Sequence, residues 1–363
     1  MQQCVEAGLV EGSKIHVDAS LVDANANLHS VKALDPKLVR AIEQSAREQV
    51  QKLDEQDDDQ DPPSEGSGGA GASIREHAKT NRRFFSKTDP DASLVRHAGL
   101  KSRLRYKTHR VVDDAHEIIT AVETTTGAVD EASQLLALIE AHEDTTNQAV
   151  RTVIADARYG NVSNLIGCQK SGIRAHVKLL GESIKGKGSS AGIYSEEQFC
   201  YDPISNTYRC PANRIMTPRR LHPKRQTWEY VTAKGVCLAC RLRAFCTRSR
   251  TGRTLHRHRD QELIEKARKI ANSKAAKRDL RRRQHLMERS FADAANCHGL
   301  KRSRWRGLWK QAIQDLLIAT VQNLRKLTRY LSPTDLELAR RLLELYYRLA
   351  GLLLRHSTTL APN

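Results

Sequence analysis

The sequence predicts an α/β fold, with a mixed sheet flanked by helices, and three observations support this. Short segments with the alternating apolar pattern of strands are interleaved with segments whose apolar residues recur every three or four positions, as in helices. A Cys- and Arg-rich stretch interrupts this alternation after residue 181. Helical patterns fill the rest of the chain, so we expect the sheet in the first half and helices at the end.

The predicted elements follow an order that defines a topology. Residues 14–26, KIHVDASLVDANA, contain the first strand, and a helix at 35–53 and an acidic, Gly- and Pro-rich flexible loop at 54–73 come next. A two-stranded hairpin, a helix carrying Leu135 and Leu138, a short buried strand, a helix closed by Gly172 and a last strand complete the set. This is the arrangement of a ribonuclease-H-like core.

Changes in composition divide the chain into four predicted regions. Residues 1–181 form the first part of the core, residues 182–258 a Cys/Arg-rich insertion, residues 259–330 a long basic helix at 260–295 with the basic end of the core, and residues 331–363 a C-terminal amphipathic helix. Ser332 and Pro333 suit the first turn of that last helix.

Charge is the strongest global signal. Lys and Arg outnumber Asp and Glu by 60 to 42, which gives a net charge of +18. Such an excess favours polyanionic partners, most often nucleic acid, and a basic but merely solvated surface is the alternative. The sequence contains neither an apolar run of about 18 residues nor the pattern of a signal peptide, so we expect a cytoplasmic protein without a membrane span.

Three acidic residues stand at definite places in the predicted elements. Asp18 lies on the first strand, on the same face as His16 and Ser20, Asp156 ends the buried strand, and Glu288 lies on the basic helix. Carboxylates gathered at one edge of a sheet repel each other unless they bind cations, and hard oxygen ligands favour Mg²⁺ or Mn²⁺. Two such ions can promote attack on a phosphodiester. For Glu288, a surface ion pair within the helix is the alternative.

The Cys-rich region contains a candidate zinc site. Cys237 and Cys240 form a C-x-x-C pair, and Cys210 and Cys246 are the further candidate ligands. Two thiolates at this spacing can reach one tetrahedral ion, so a structural Zn²⁺ is chemically reasonable. The alternative is a region of reduced, partly buried cysteines, because a chain without a signal peptide is not expected to build a disulfide framework.

Basic residues on both sides of Glu288 predict contacts with a DNA backbone. They are Arg281, Arg282, Arg283, Lys301, Arg302, Arg304 and Arg306. Trp305 and Trp309 lie among cations, an arrangement suited to stacking on nucleic acid, although we expect at least one of these rings to anchor the core. A solvated helix face is the alternative interpretation of the charge run.

Six segments together resemble the DDE transposases of bacterial insertion sequences: KIHVDASLVDANA, DPDASLVRHAGLKSRLRYKTHRVVDDAHEIITAVETTTGAVDEAS, VIADARYGN, the Cys-rich YRCPANR…CLACRLRAFCT, MERSFADAANCHGLKRSRWRGL and LLIATVQNLRKL. The resemblance covers about residues 5 to 330. It implies a ribonuclease-H-like catalytic domain that cuts and joins DNA, in which Asp18, Asp156 and Glu288 bind two Mg²⁺ or Mn²⁺ ions. It also implies that the protein binds double-stranded DNA, both transposon ends and target, as a homodimer on the bacterial nucleoid.

The sequence departs from this family at several points. Related proteins usually have a helical N-terminal region before the first catalytic strand, and we expect it to be missing here because that strand starts near residue 14. A lysine often follows the glutamate by seven positions, where this chain has Ala295, and Arg281 and Gln284 replace a Tyr and an Arg found in some relatives. Two other functions would use the same residues: a metal-dependent nuclease without strand transfer, and an inactive remnant that only binds DNA.

Overall fold

A sheet of antiparallel and parallel strands forms the centre of the computed structural model, which describes residues 1–35, 84–96, 101–180 and 192–330. The strands of the first half are β1 (Lys14–Asp23), β2 (Val31–Ala33), β3 (Phe84–Ser86), β4 (Ser93–Val95), β5 (Arg103–Asp113), β6 (Ile119–Thr126), β7 (Thr152–Ile154) and β8 (Arg174–His176). β1 is central, with β5 antiparallel on one side and β7 parallel on the other.

The outer strands complete a mixed sheet. β6 and β4 both pair with the far side of β5, in antiparallel fashion, and β8 pairs in parallel with β7. β2 and β3 form a separate two-stranded sheet. The predicted α/β class and the β5–β6 hairpin are thus confirmed, and the mixed sheet is consistent with a ribonuclease-H-like fold.

Helices cover both faces of the central sheet. The α-helices of the described residues are α1 (Gln2–Glu6), α2 (Leu135–Thr146), α3 (Val162–Lys170), α4 (Arg243–Cys246), α5 (Gln261–Ala271), α6 (Lys274–His298) and α7 (Leu308–Tyr330), of which α4 packs against the region after β8 and not against the central sheet. Val17 of β1 packs in a core with Leu138 of α2 and Leu165 of α3. Side chains alternate along a strand, so Val22 faces the other way and joins the core that contains Met287 of α6.

The basic helix predicted at 260–295 is in fact two helices, α5 and α6, so the prediction of a single helix was wrong. The hydroxyl of Ser273 accepts a hydrogen bond of 3.1 Å from the Ala276 backbone N–H and caps a new helix at this point. At the other end of α6, Gly299 takes the left-handed conformation (φ 69°) that glycine adopts without strain. These two residues therefore set the limits of the helix that carries Glu288.

Between β8 and α5 the chain forms a second sheet. Its strands are β9 (Cys200–Asp202), β10 (Thr207–Arg209), β11 (Ile215–His222), β12 (Thr227–Val231) and β13 (Thr254–His258), each antiparallel to the next. A small core of buried side chains holds it together: Phe199, Met216, Tyr230 and Leu255. Composition marked this region as different, but its strands were not predicted.

Short 3-10 helices occupy several connections: Leu28–Ser30, Glu131–Gln134, Ala157–Tyr159, Glu196–Gln198 and Pro223–Arg225. The helix predicted at 35–53, the loop at 54–73 and the C-terminal helix at 331–363 lie almost wholly outside the described residues. None of the helices in the described ranges is both long and apolar enough to cross a membrane.

Candidate active site

Asp18 and Asp156 lie at equivalent positions relative to the parallel pairing of β1 with β7. The parallel ladder between β1 and β7 pairs Ile15 with Val153 and ends with His16 beside Ile154. Asp18 and Asp156 each follow two residues later, and neighbouring strands run about 4.8 Å apart. β7 ends at Ile154, whereas β1 continues to Asp23 and stays paired with β5. Asp156 therefore lies just beyond the end of β7, beside β1.

The Asp18 carboxylate is held on both of its oxygens. Oδ2 accepts a hydrogen bond of 2.8 Å from Nη1 of Arg283 on α6, and Oδ1 accepts one of 2.9 Å from the Ala19 backbone N–H. Burial raises the pKa of Asp18 above its usual value and the negative charge of Asp156 adds to the rise, whereas Arg283 and Ala19 oppose it. Removal from water therefore outweighs the bound arginine.

Asp156 caps the short helix that follows β7. Its Oδ1 accepts a hydrogen bond of 2.8 Å from the Arg158 backbone N–H, and the residue itself is extended. An aspartate at this position satisfies a backbone donor that has no partner inside the helix. The Asp156 carboxylate also lies near enough to Asp18 for its negative charge to raise the pKa of Asp18.

Two residues that the sequence did not single out join this acidic group. Burial raises the pKa of Tyr159 well above its usual value, and the charges of Glu131, Asp18 and Asp156 raise it further. The Tyr159 hydroxyl is buried and has no hydrogen-bond partner among the described residues. Glu131 pairs with Lys107 at 3.3 Å and with Arg158 at 3.2 Å. Glu131 follows β6, and Tyr159 follows β7 within the VIADARYGN segment, but nothing in the sequence pattern shows that either side chain lies beside the aspartates.

Glu288 lies apart from the two aspartates. It is exposed on α6, where its Oε1 accepts a hydrogen bond of 3.2 Å from Nε2 of Gln284. The buried face of α6 carries Met287 and Ser290, and a residue one position from Met287 is rotated by about 100° around the helix. Throughout the described ranges, no three Asp, Glu, His or Cys side chains are close enough together to bind one metal ion.

The fit of this site to a divalent cation is therefore partial. Asp18 and Asp156 supply neighbouring hard oxygen ligands whose mutual repulsion a cation would relieve. Glu288 does not complete the site in this arrangement. Arg283 provides the positive charge beside Asp18 instead, at 2.8 Å, and only 13% of its side chain is exposed.

A basic loop between α6 and α7 runs beside the end of β1. The Asp23 backbone N–H donates to the Lys301 carbonyl and the Ser303 N–H donates to the Asp23 carbonyl, so the loop is attached to the strand by main-chain bonds. Nζ of Lys301 donates to the Ser20 hydroxyl at 2.8 Å, on the Asp18 face. Asp23 is the last residue of β1.

The seven predicted DNA contacts differ in their availability. Arg302, Arg304 and Arg306 are exposed on the loop, and Arg281 is exposed on α6. Arg282 is half exposed but its Nε pairs with Asp114 at 2.9 Å, while Arg283 is turned inward to Asp18. The loop residues therefore form the accessible part of the basic surface.

Both tryptophans near the loop face solvent. Trp305 is 45% exposed and Trp309 is 64% exposed. The expectation that at least one of them anchors the core was wrong. Leu308 between them packs against the core instead, so the two rings remain accessible on the basic surface.

The four candidate zinc ligands gather around one small cavity in the second sheet. Cys210, Cys237, Cys240 and Cys246 all line it, together with Phe199, Met216 and neighbouring residues. Each of the four cysteines is partly buried and free of disulfides. Cys210 from the β10–β11 connection thus meets three cysteines of the β12–β13 connection.

Residues 209–328 match the transposase DDE domain family. This part of the chain is similar to transposase DDE domains. The matched part includes Glu288, the basic loop and most of the second sheet, whereas Asp18 and Asp156 lie outside it. No curated protein and no solved structure matches the chain. At the level of the family, a transposase DDE domain performs DNA recombination and uses divalent metal ions.

Proposed function

We propose that this protein is a transposase that cleaves DNA at the ends of a bacterial insertion sequence and transfers the freed strands to target DNA. The observation that carries the proposal is the level placement of Asp18 and Asp156 at the end of the β1–β7 ladder, inside a ribonuclease-H-like sheet. The family match supports the chemistry in general terms. The resemblance in sequence adds the expectation of a homodimer acting on the nucleoid.

In this proposal Asp18 and Asp156 hold divalent ions, Mg²⁺ or Mn²⁺, with Glu288 as the third acidic ligand. Such ions, when bound, promote attack of a hydroxyl on the phosphodiester and stabilise the leaving oxygen. Glu288 must approach the aspartates to take part, because it lies on the exposed side of α6.

The basic loop supplies the contacts that place DNA over this site. Arg302, Arg304 and Arg306 are exposed, and the loop is tied to β1 through Asp23, a few residues from Asp18. Phosphates bound along the loop therefore lie close to the acidic group. Such contacts make the affinity fall steeply with salt.

The test compares wild type with Asp18→Asn on a duplex that carries the terminal inverted repeats of the encoding element. We expect Mg²⁺-dependent cleavage by the wild type and none by the variant, with similar binding of DNA. Asp144→Asn, at an exposed position near the end of α2, is the matched control and should cleave normally. Cleavage that persists in Asp18→Asn would rule out the proposed role of this residue.

One observation favours a second candidate, a DNA-binding protein without catalysis. Glu288 does not join the two aspartates, so the arrangement lacks a third acidic ligand. This candidate predicts binding of the same duplex and no cleavage with any divalent metal. A nuclease without strand transfer is a further alternative, and pre-cut ends with a free 3′-hydroxyl distinguish it, because only a transposase joins them to target DNA.

A further inference from the structure

Four cysteines from two connections of the second sheet surround one cavity of about 20 Å³. Cys210 follows β10, Cys237 and Cys240 lie in the turns after β12, and Cys246 ends α4. A cavity of this size accommodates a single small atom or ion. Cys237, Cys240 and Cys246 are close in sequence, whereas the fold brings Cys210 to them from a separate connection.

The backbone at Cys210 has the geometry of a tight turn around a sulfur. The Cys210 N–H donates to the Arg214 carbonyl at 2.9 Å, and the Arg214 N–H donates to Sγ of Cys210 at 3.3 Å. Asn213 takes the left-handed conformation (φ 59°) that closes the turn. A backbone N–H directed at sulfur stabilises a thiolate, the form that binds metal.

Gly252 and Thr232 both lie close to the sulfur of Cys237. Gly252 has a φ of 111°, and a Cβ at this position would lie 3.0 Å from Sγ of Cys237, so a side chain there would press on the sulfur. Thr232 Oγ1 lies 3.1 Å from the same Sγ. The Cys240 carbonyl accepts a bond from the Arg243 N–H, which starts the turn of helix carrying Cys246.

The lining of the cavity offers sulfur ligands alone. Among the described residues, it contains the four cysteines and no histidine, aspartate or glutamate. His256 lines a different cavity, so histidine is not the ligand here.

We propose that Cys210, Cys237, Cys240 and Cys246 bind one structural zinc ion that fastens the second sheet. Soft thiolate ligands in a tetrahedral set select zinc, at Zn–S distances of about 2.3 Å. Without the ion, no three of these four sulfurs are close enough together to bind it, so zinc binding requires the sulfurs to move toward the centre of the cavity. The core of this sheet has four fully buried apolar side chains, Phe199, Met216, Tyr230 and Leu255, so a metal adds a needed constraint.

The zinc content of the purified full chain tests the proposal. We expect close to one zinc per chain, and a marked fall in Tm when a chelator removes it. The double variant Cys237→Ser/Cys240→Ser should lose the metal. Cys200→Ser is the matched control, because Cys200 is an exposed cysteine of the same sheet that does not line the cavity, and it should keep the zinc.

Cobalt binding to the wild-type protein tests the proposal even if the double variant does not fold. Titration of metal-free wild type with Co²⁺ should give the intense near-ultraviolet absorption of thiolate coordination and the visible bands of a tetrahedral ion, saturating at one equivalent. Absence of these bands, zinc well below one equivalent after refolding in zinc, or unchanged zinc in the folded double variant would each overturn the proposal. The proposal is independent of catalysis, so these outcomes leave the assignment of Asp18 untouched.

Discussion

Arg283 of α6 donates a hydrogen bond of 2.8 Å from Nη1 to Oδ2 of Asp18 on β1. A cation thus already balances part of the acidic pair that Asp18 forms with Asp156. The guanidinium of Arg283 and a divalent ion would compete for the Asp18 carboxylate, because each would contact its Oδ2. Binding of metal and release of Arg283 are therefore linked in this account.

Removal of that guanidinium should strengthen metal binding. We expect Arg283→Gln to bind Mn²⁺ more tightly than wild type by about tenfold, or about 1.4 kcal/mol, because a positive charge within about 4 Å of the site is lost. Isothermal titration of the DNA-free protein measures the effect. Arg281→Gln, an exposed change on the same helix, should leave the Mn²⁺ affinity unchanged, and equal affinities for all three proteins would contradict the competition.

Asp18 and Asp23 should affect stability in opposite directions. Burial raises the folded-state pKa of Asp18, so its ionised form destabilises the folded protein, and this cost is present above the folded pKa and vanishes in acid. Asp18→Asn should therefore raise Tm at pH 7 without metal, and the gain should disappear below about pH 4.

For Asp23, burial works against ionisation, but hydrogen bonds from Arg105 and Arg103 outweigh it and hold the pKa below its usual value. Its ionised form stabilises the fold above the unfolded pKa, and this stability is lost as the pH falls through the folded pKa. Asp23→Asn should lower Tm at pH 7 and change it less in acid. Thermal melts from pH 3 to pH 8 on both variants check the signs, and shifts in the same direction would refute the electrostatic interpretation.

The basic loop should control the salt dependence of DNA binding. Arg304→Gln/Arg306→Gln should reduce the slope of log K against log salt concentration by up to about 2, since each lost phosphate contact removes about 0.9. Fluorescence anisotropy with a labelled duplex from 50 to 200 mM salt, the range over which such contacts are usually resolved, provides the measurement. The control Lys224→Gln/Arg225→Gln removes the same charge from an exposed turn of the second sheet. An equal reduction of the slope in this control would show that DNA binding depends on net charge and not on the basic loop.

Much of the first sheet could be predicted from the sequence, because strand periodicity and short turns mark β1, β5 and β6. The β1–β7 ladder that sets Asp18 beside Asp156 followed from strand order. The break at Ser273 could not be predicted as readily, since the apolar pattern continues through it and only the capping hydrogen bond reveals the new helix.

The remainder of the site depends on tertiary contacts that carry no local pattern. Arg283 resembled the surface arginines beside it until its partner on β1 was known. The inclusion of Glu131 and Tyr159 depends on the packing of two connections around the ends of strands. The four cysteines, by contrast, were chosen from spacing and do meet around one cavity.

Glu288 and Glu131 offer rival third carboxylates, and substitution separates them. We expect Glu288→Gln to abolish Mg²⁺-dependent cleavage while DNA binding remains. Glu131→Gln should keep cleavage but lower stability by about 1–3 kcal/mol, because Lys107 and Arg158 lose a buried charged partner. Cleavage assays and urea unfolding of both variants decide, and loss of cleavage in Glu131→Gln alone would transfer the role to that residue.

A double-mutant cycle on Mn²⁺ binding decides whether Asp18 and Asp156 share a divalent ion. Electron paramagnetic resonance of free Mn²⁺ gives the affinity of wild type, Asp18→Asn, Asp156→Asn and the double variant. We predict that each single change weakens the same site severely and that the second change adds little. Losses that simply add, or an affinity unaffected by either change, would contradict the shared site.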